Sequence, residues 1–451
     1  MNRSFPHPVI GWGVVSLLVF ASLVSFVDRQ IVAIVVEPMK QDLGLTDAEV
    51  GWLYGVFAVF YAMAALPIAW FADHGNRTRL IAVGVAFWSV MTAACGLVQT
   101  FWQLLLARMG VGVGEATLTP ATNSLLGDYF PRDRLPLALS IYQLGPILGS
   151  GLAFVIGGSV LSLVTQLDVA ALPFIGGLHP WQQTFVLLGT PGLLLALVFL
   201  LMREPARRDA PRDSSFHLGE VLAFYRSHPR LLLCHHLGCL FLNLMGYAFV
   251  FWTISFFVRV HGISAAEASW TFGWIFTTFG ALGPLLIAGV GRVLARRGHD
   301  DANILAALIG GVLAIPFMIA TQFAPTVTLA FILYAPAMCF INSPFGIANG
   351  ALPVIAPSGI RAQVAAVNML VGSFGMMLGP PLAGYFNTSV FPGPEGVRYS
   401  IITLVLVFGA LGSALLWAAR RPYAEAYRRV LQRIAQTDPR ARFGQRLLPA
   451  R

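Results

Sequence analysis

Twelve stretches of this chain run for about twenty residues or more with hardly a charge among them, and no other feature limits its folding so severely. They lie at 10–36, 48–72, 79–99, 101–127, 135–161, 181–202, 230–257, 267–294, 302–323, 326–353, 363–386 and 398–419. A helix of roughly 20 residues crosses the ~30 Å hydrocarbon core of a bilayer. In that core only helices and closed barrels satisfy their own backbone polar groups. Barrel strands alternate polar and apolar residues over about ten positions, whereas these runs are continuously apolar. The pattern therefore predicts an all-α membrane protein with twelve transmembrane helices. Charged residues make up 11% of the chain, against about 25% in soluble domains. The first run follows Arg3 as a signal peptide would, but it is too long for one. It leads into Asp28-Arg29 with no small-residue cleavage site, so it reads as a retained span.

The net charge of +9 is a topology signal, not a nucleic-acid one. If the N-terminus is cytoplasmic, cytoplasmic segments hold Arg77, Arg79, Arg132, Arg134, Arg203, Arg207, Arg208, Arg212, Arg226, Arg230, Arg292, Arg296, Arg297, Arg361 and the arginines of the tail. Outer segments hold only Lys40, Arg259 and Arg398. This bias, with an even number of spans, puts both termini in the cytoplasm. A bacterial inner-membrane location and a monomer are expected. The expected partners are the bilayer, protons and a small-molecule or lipid substrate, with no nucleic acid.

Residues 203–229 carry arginine, aspartate and proline and divide the spans six to six. An internal repeat supports the division. Pro131-Arg-Asp-Arg134 leads into Gly145-Pro146, and Pro357-Ser-Gly-Ile-Arg361 leads into Gly372 and Gly379-Pro380; the interval from arginine to first glycine is eleven in both. The expected organisation is two pseudo-symmetric six-helix bundles at 1–202 and 230–420, a cytoplasmic loop at 203–229 and a cytoplasmic tail at 421–451. Matched halves of this kind place a substrate site at their interface near the midplane, with access alternating as one half rocks on the other. In the tail, Tyr423, Tyr427, Val430, Leu431 and Ile434 share one helical face and Arg428, Arg429 and Arg433 another. That arrangement predicts an amphipathic helix on the membrane surface, with a solvated basic tail as the alternative.

Three charges lie inside the apolar runs. Arg108 and Glu115 are seven residues apart in Arg108-Met-Gly-Val-Gly-Val-Gly-Glu115, so both project from one helical face. Asp28 lies in the first span. Each costs about 2.5–3.5 kcal/mol near mid-bilayer on insertion scales and marks an ion or substrate pathway by default. Counted at 1.5 Å per residue, Asp28 is about 24 Å up its helix and Arg108 about 10 Å below the outer surface, with Glu115 about 20 Å below it. Asp28 and Arg108 should therefore meet in the outer half, with Arg29 snorkelling outward. The three are expected to serve proton coupling, the alternative being a static pair that fixes helix packing. Gly110, Gly112 and Gly114 resemble a fragment of a phosphate loop, but inside an apolar helix they fit close helix packing better.

The second span ends Ala69-Trp-Phe-Ala-Asp73-His-Gly-Asn76-Arg77-Thr-Arg79. This segment is similar to the loop signature of the major facilitator superfamily, Gly-x-x-x-Asp-Arg-x-Gly-Arg-Arg. Asp73, Arg77 and Arg79 supply its acid and arginines, while Ala69, His74 and Asn76 replace other positions. The matching place in the second half has Arg292 where an acid would stand. Arg108-x-x-x-Gly112-x-Gly114 resembles the superfamily's proton-linked arginine motif, and Gly114-Glu115-Ala116, the Asp28-Arg29 pair and Asn76 before Arg77 resemble the Spinster branch. Gly145-Pro146 through Gly149-Ser-Gly151 is similar to the superfamily's glycine–proline motif. The resemblance implies the major facilitator fold and an Asp28 engaged in proton coupling. It implies a conformational clamp of Asp73, Arg77, Arg79, Asp128 and Arg134, and a substrate of the lysophospholipid or sphingolipid class.

Candidate cavity-lining groups are Arg108, Glu115, Tyr142, Gln143, Asn243, Tyr247, Asn342 and Asn368, with Ser25, Thr271 and Asn349 as further polar residues. They are sparse among phenylalanines such as Phe249, Phe251, Phe256, Phe257, Phe272 and Phe345, which suits an amphipathic ligand better than a sugar. Cys234, His235, His236 and Cys239 carry metal-binding atom types, but Cys234 and His236 fall on different faces with no acid nearby. No metal or other cofactor is expected. Cys95 and Cys339 lie in apolar runs and read, with the other two, as buried thiols. No nucleophile stands in register with a base, so an enzyme is not expected. The function predicted is secondary active, proton-coupled transport of a lipid-like or anionic amphipathic substrate by alternating access. The alternative is a carrier of small organic anions or a drug efflux pump.

Overall fold

The computed structural model describes residues 5–166, 176–207 and 218–437; Arg208, Arg212 and the end of the tail lie outside them. The described residues are helical with no strand. The first half comprises α1 (Pro8–Ile34), α2 (Val36–Leu43), α3 (Asp47–His74), α4 (Arg77–Cys95), α5 (Phe101–Glu115), α6 (Leu118–Tyr129), α7 (Leu135–Tyr142), α8 (Leu144–Gln166), α9 (Pro180–Gly189) and α10 (Pro191–Leu201). After α11 (Leu218–Ser227) come α12 (Pro229–His261), α13 (Ala265–Arg296), α14 (Ala302–Gln322), α15 (Val327–Ile341), α16 (Ser343–Ile355), α17 (Arg361–Tyr385) and α18 (Gly396–Thr437).

Among the described residues, eleven helical stretches are long and apolar enough to cross a membrane. The twelfth expected span is α5 with α6. It escapes a test of length and hydropathy because the helix breaks at Ala116–Thr117 and carries Arg108, Glu115 and Asp128. Local sequence sets the helix starts. Thr46 accepts from the Glu49 amide while Glu49 reaches back to the Thr46 amide, closing a capping box at α3. Ser264 caps α13 in the second half by accepting from the Glu267 amide.

The halves meet along α3 with α17 and α8 with α13. Small residues let these backbones touch. A Cβ on Gly51 would sit 2.6 Å from the Pro380 carbonyl oxygen, and one on Gly55 2.7 Å from that of Met377. Across the other seam, Gly273 faces Gly151 and Val155. These contacts fall toward the face where α3 begins and α17 ends, opposite the arginine-rich face.

Two expectations change. The 203–229 segment contains a helix, α11, fastened to the bundle. Tyr225 Oη lies 2.9 Å from His236 Nε2, and burial pushes the Tyr225 hydroxyl up to about 12. The tail's apolar face does not lie free for a leaflet. α18 continues unbroken for 42 residues, about 63 Å at 1.5 Å each. Its Tyr423 is buried, receives a bond from Asn303 and donates to the Ala351 carbonyl. Tyr427 and Val430 pack on the same core.

Candidate transport site

α5 approaches its neighbours through glycine, which carries Arg108 and Glu115 into the middle of the first half. A Cβ on Gly112 would lie 2.5 Å from the Phe57 carbonyl of α3, and one on Gly114 2.7 Å from Trp88 of α4. Arg108, Glu115 and Asp28 are 0%, 2% and 0% exposed.

The pairing differs from the one expected. Arg29, not Arg108, holds the acid: its Nη2 donates to Glu115 Oε2 at 2.8 Å. Ser25 Oγ donates to the same oxygen at 2.8 Å. Arg29 does not snorkel outward, because α1 extends beyond it to Ile34 and the guanidinium folds inward over Phe26, Phe57 and Tyr61, 4.7–5.3 Å from their ring centres. Arg108 stacks on the same Phe57 at 5.1 Å and donates one hydrogen bond, from Nη1 to the Asp28 backbone carbonyl at 2.9 Å. Among the described residues, both Asp28 carboxylate oxygens and the Arg108 Nε and Nη2 groups have no hydrogen-bond partner. Trp88 and Thr92 turn their polar side-chain atoms toward Asp28.

Arg29 also walls a cavity of about 150 Å³ between the halves. Gln30 and Tyr54 line it from the first half, and Tyr247, Phe276 and Asn342 from the second. Of the eight residues expected at a binding surface, Tyr247 and Asn342 line this cavity. Asn243 donates to the Gly372 carbonyl at 3.4 Å, inside the α12–α17 contact. Asn368 is held between His236 and Asn349, at 2.9 and 2.5 Å. Tyr142 is buried near Ser22, Thr119 and Thr122, and Gln143 is exposed at the break between α7 and α8. The His and Cys residues of α12 serve packing: His235 Nε2 lies 3.1 Å from the Ala348 carbonyl. Among the described residues no three His, Cys, Asp or Glu side chains converge on a metal position.

At the arginine-rich face, Arg77 is 1% exposed and bonds Asp128 at 2.5 Å, Glu204 at 2.6 Å and the Ser124 carbonyl at 3.0 Å. Asn76 caps α4 by accepting from the Arg79 amide at 2.8 Å. Asp73 and Arg79 are exposed, and among the described residues Arg134 pairs only with its neighbour Asp133, at 4.0 Å. Arg207 instead binds the Ala72, Asp73 and Gly75 carbonyls. These bonds join the first half to the start of the 203–229 segment and do not reach the second half.

The opposite face is latched across the halves. Arg259 of α12 donates to Glu37 at 2.8 Å and, through two nitrogens, to Asp47 at 2.5 and 2.9 Å. Lys40 also pairs with Asp47. The Ala48 amide adds a bond to Thr388 Oγ1 at 3.1 Å. Sequence reasoning misses this latch. Its one local signal is that Lys40 and Arg259 are two of only three cations on a face otherwise without them.

The family profile described as Major Facilitator Superfamily matches residues 18–380. The chain belongs to the major facilitator superfamily. Within it, the protein resembles the Spinster transporters. It is 26% identical to Protein spinster homolog 1 of Xenopus tropicalis over 96% of this chain and 86% of that one. An MFS-type efflux pump of Mycolicibacterium smegmatis is also 26% identical, over 92% of this chain and 94% of the pump. A crystal structure of a bacterial homologue of the human lysosomal transporter Spinster, inward-facing and unoccupied, superposes with a TM-score of 0.82. That match has 28% identity and covers 92% of this chain and 98% of the other. The protein is thus a superfamily transporter, not an enzyme.

Proposed function

We propose that this transporter couples proton movement to passage of an anionic amphipathic substrate of the lysophospholipid class, with the arginine-rich face in the cytoplasm of a bacterial inner membrane. The observation that carries the reading is the Arg29–Glu115 pair, whose arginine stands in the wall of a cavity lined by both halves with the carboxylate behind it. A buried charge persists only when paired or discharged. A proton on Glu115 releases Arg29, and an arriving anionic head group supplies its replacement partner. The loaded site then carries no additional net charge, and the halves can rock without exposing a bare ion to lipid. Arg108 stands ready for Asp28 in the same way, since its unpartnered N–H groups can receive that carboxylate when ionised. The cavity has the size of a head group, below the ~300–1,000 Å³ of drug-sized sites. Its aromatic lining at Phe26, Tyr54 and Phe276 suits the apolar end of an amphipathic ligand. The latch at Arg259 holds the outer end shut while the cytoplasmic side loads or unloads.

Lysophospholipid flux in proteoliposomes under an imposed pH gradient tests this reading. Wild type accumulates substrate with the gradient, and Asp28→Asn binds it but does not accumulate it. Gradient-driven accumulation unchanged in Asp28→Asn would remove Asp28 from coupling. The similarity to an efflux pump favours a second reading, a carrier of small organic anions or drugs. Competition between lysolipids and sugar acids for the same flux separates the two.

A further inference from the structure

A second and larger cavity, about 1,270 Å³, opens at the arginine-rich face where the start of α12, the α13–α14 turn and the last third of α18 meet. It shares no lining residue with the cavity between the halves. Five arginines line it: Arg230, Arg420, Arg421, Arg428 and Arg429. Two are neutralised, Arg420 by Asp301 at 2.6 Å and Arg428 by Asp300 at 2.9 Å. Among the described residues, Arg230, Arg421 and Arg429 have no ion-pair partner, and Glu425 is the one other carboxylate in the wall. A cavity with this surplus of guanidinium attracts phosphate, whose oxygens match the guanidinium fork.

The surroundings specify the source of that phosphate. Arg420 stacks over Trp417 at 4.6 Å, and Trp417, 63% exposed, projects outward one turn toward the membrane. An exposed indole beside arginines marks the head-group level of a bilayer. Beyond it, Leu411 on α18 and Leu233 on α12 are exposed and apolar. The two helices pack closely there, since a Cβ on Gly238 would lie 3.2 Å from the Gly412 carbonyl. Exposed apolar side chains thus flank the closed α12–α18 seam beside the cavity, on the side that faces acyl chains. A free phosphate would use only the arginines; a phospholipid would use both parts. Basic pockets between transmembrane helices at this level suit anionic head groups.

We infer that this cavity binds an anionic phospholipid of the surrounding leaflet, its phosphate on Arg230, Arg421 and Arg429 and its chains lying over the exposed leucines of the α12–α18 seam. Such a lipid would also fasten the end of α11 to the second bundle, because Ser227 and His228 belong to the same wall.

Thermal unfolding of the purified full-length protein in a neutral detergent, with lipid added, tests the inference. Phosphatidylglycerol is expected to raise the unfolding midpoint by several degrees, with phosphatidylcholine and inorganic phosphate leaving it unchanged. In R421Q/R429Q the phosphatidylglycerol shift should be lost, and native mass spectrometry should show at least a tenfold drop in co-purified anionic lipid. The charge-keeping R421K/R429K protein should retain part of both, which separates loss of the site from loss of the fold. A shift of equal size with inorganic phosphate would assign the cavity to a free anion and overturn the lipid reading. A shift undiminished in R421Q/R429Q would place the lipid elsewhere and overturn the site.

Discussion

The fourth and tenth spans follow one plan and hold opposite chemistry. α5 and α15 are each 15 residues long, each is capped by a threonine, Thr100 or Thr326, and each breaks into a second short helix, α6 or α16. Seven residues into each helix a large buried side chain points inward: Arg108 in the first half, Tyr334 in the second. At the last residue stand Glu115 and Ile341. Arg108 is surrounded by unpartnered polar groups, whereas Tyr334 sits among rings, with Phe249, Phe257 and Phe272 centred 5.0–5.6 Å away. The repeat thus preserved the backbone and divided the work. The first half carries the buried charges, and the second lines the same cavity with uncharged side chains, among them Tyr247, Val250, Phe276 and Ile341.

The strongest way to break that contrast is Glu115→Gln. It strands Arg29 in a buried site, and removing one partner of such a pair costs about 3–5 kcal/mol. Thermal melts should show a large fall in the midpoint, and flux should drop to background. Replacing both partners, Arg29→Met with Glu115→Leu, should recover most of the stability and none of the transport, because an apolar pair of similar volume is often neutral or stabilising. A double variant as unstable as Glu115→Gln alone would show that the two residues do not act as a unit.

Glycine placement sharpens the comparison at the next scale. In the first half α5 supplies the glycine, Gly112 against the Phe57 carbonyl; in the second the neighbour α13 supplies it, Gly283 against the Cys339 carbonyl. Alanine at either site overpacks a helix contact, for which about 1–3 kcal/mol is typical. Both variants should melt earlier. Only Gly112→Ala should also alter the pH dependence of flux, since it moves the helix bearing Arg108 and Glu115.

The smallest effect belongs to Tyr334→Phe. The Tyr334 hydroxyl is buried without a partner among the described residues, so deleting it should change stability by less than about 1 kcal/mol in either direction. Flux and its pH profile should stay at wild-type values. A collapse of coupling in this variant would make the second half a participant in charge handling.

Much of this division is legible in the amino-acid sequence. Asp28, Arg108 and Glu115 stand out because ionisable groups inside apolar runs are rare and costly, and the fold brings all three into one buried cluster. Arg29 departs from expectation for a tertiary reason: Glu115 of α5 and the rings of Phe57 and Tyr61 on α3 hold its guanidinium inward. The clamp is legible in part: Arg77 and Asp128 pair, while Glu204 and Arg207 join from a segment whose composition reads as a plain linker.

By itself the sequence determined the solvent, the helical class, the number of spans and which side chains would be expensive to bury, because hydropathy and charge act residue by residue. Only the tertiary structure decided which arginine holds Glu115 and that Arg259, Glu37 and Asp47 lock one end of the molecule. Those choices depend on how helices far apart in the chain are rotated and shifted against each other. That register is set by many glycine and aromatic contacts at once, and no single stretch of sequence encodes it.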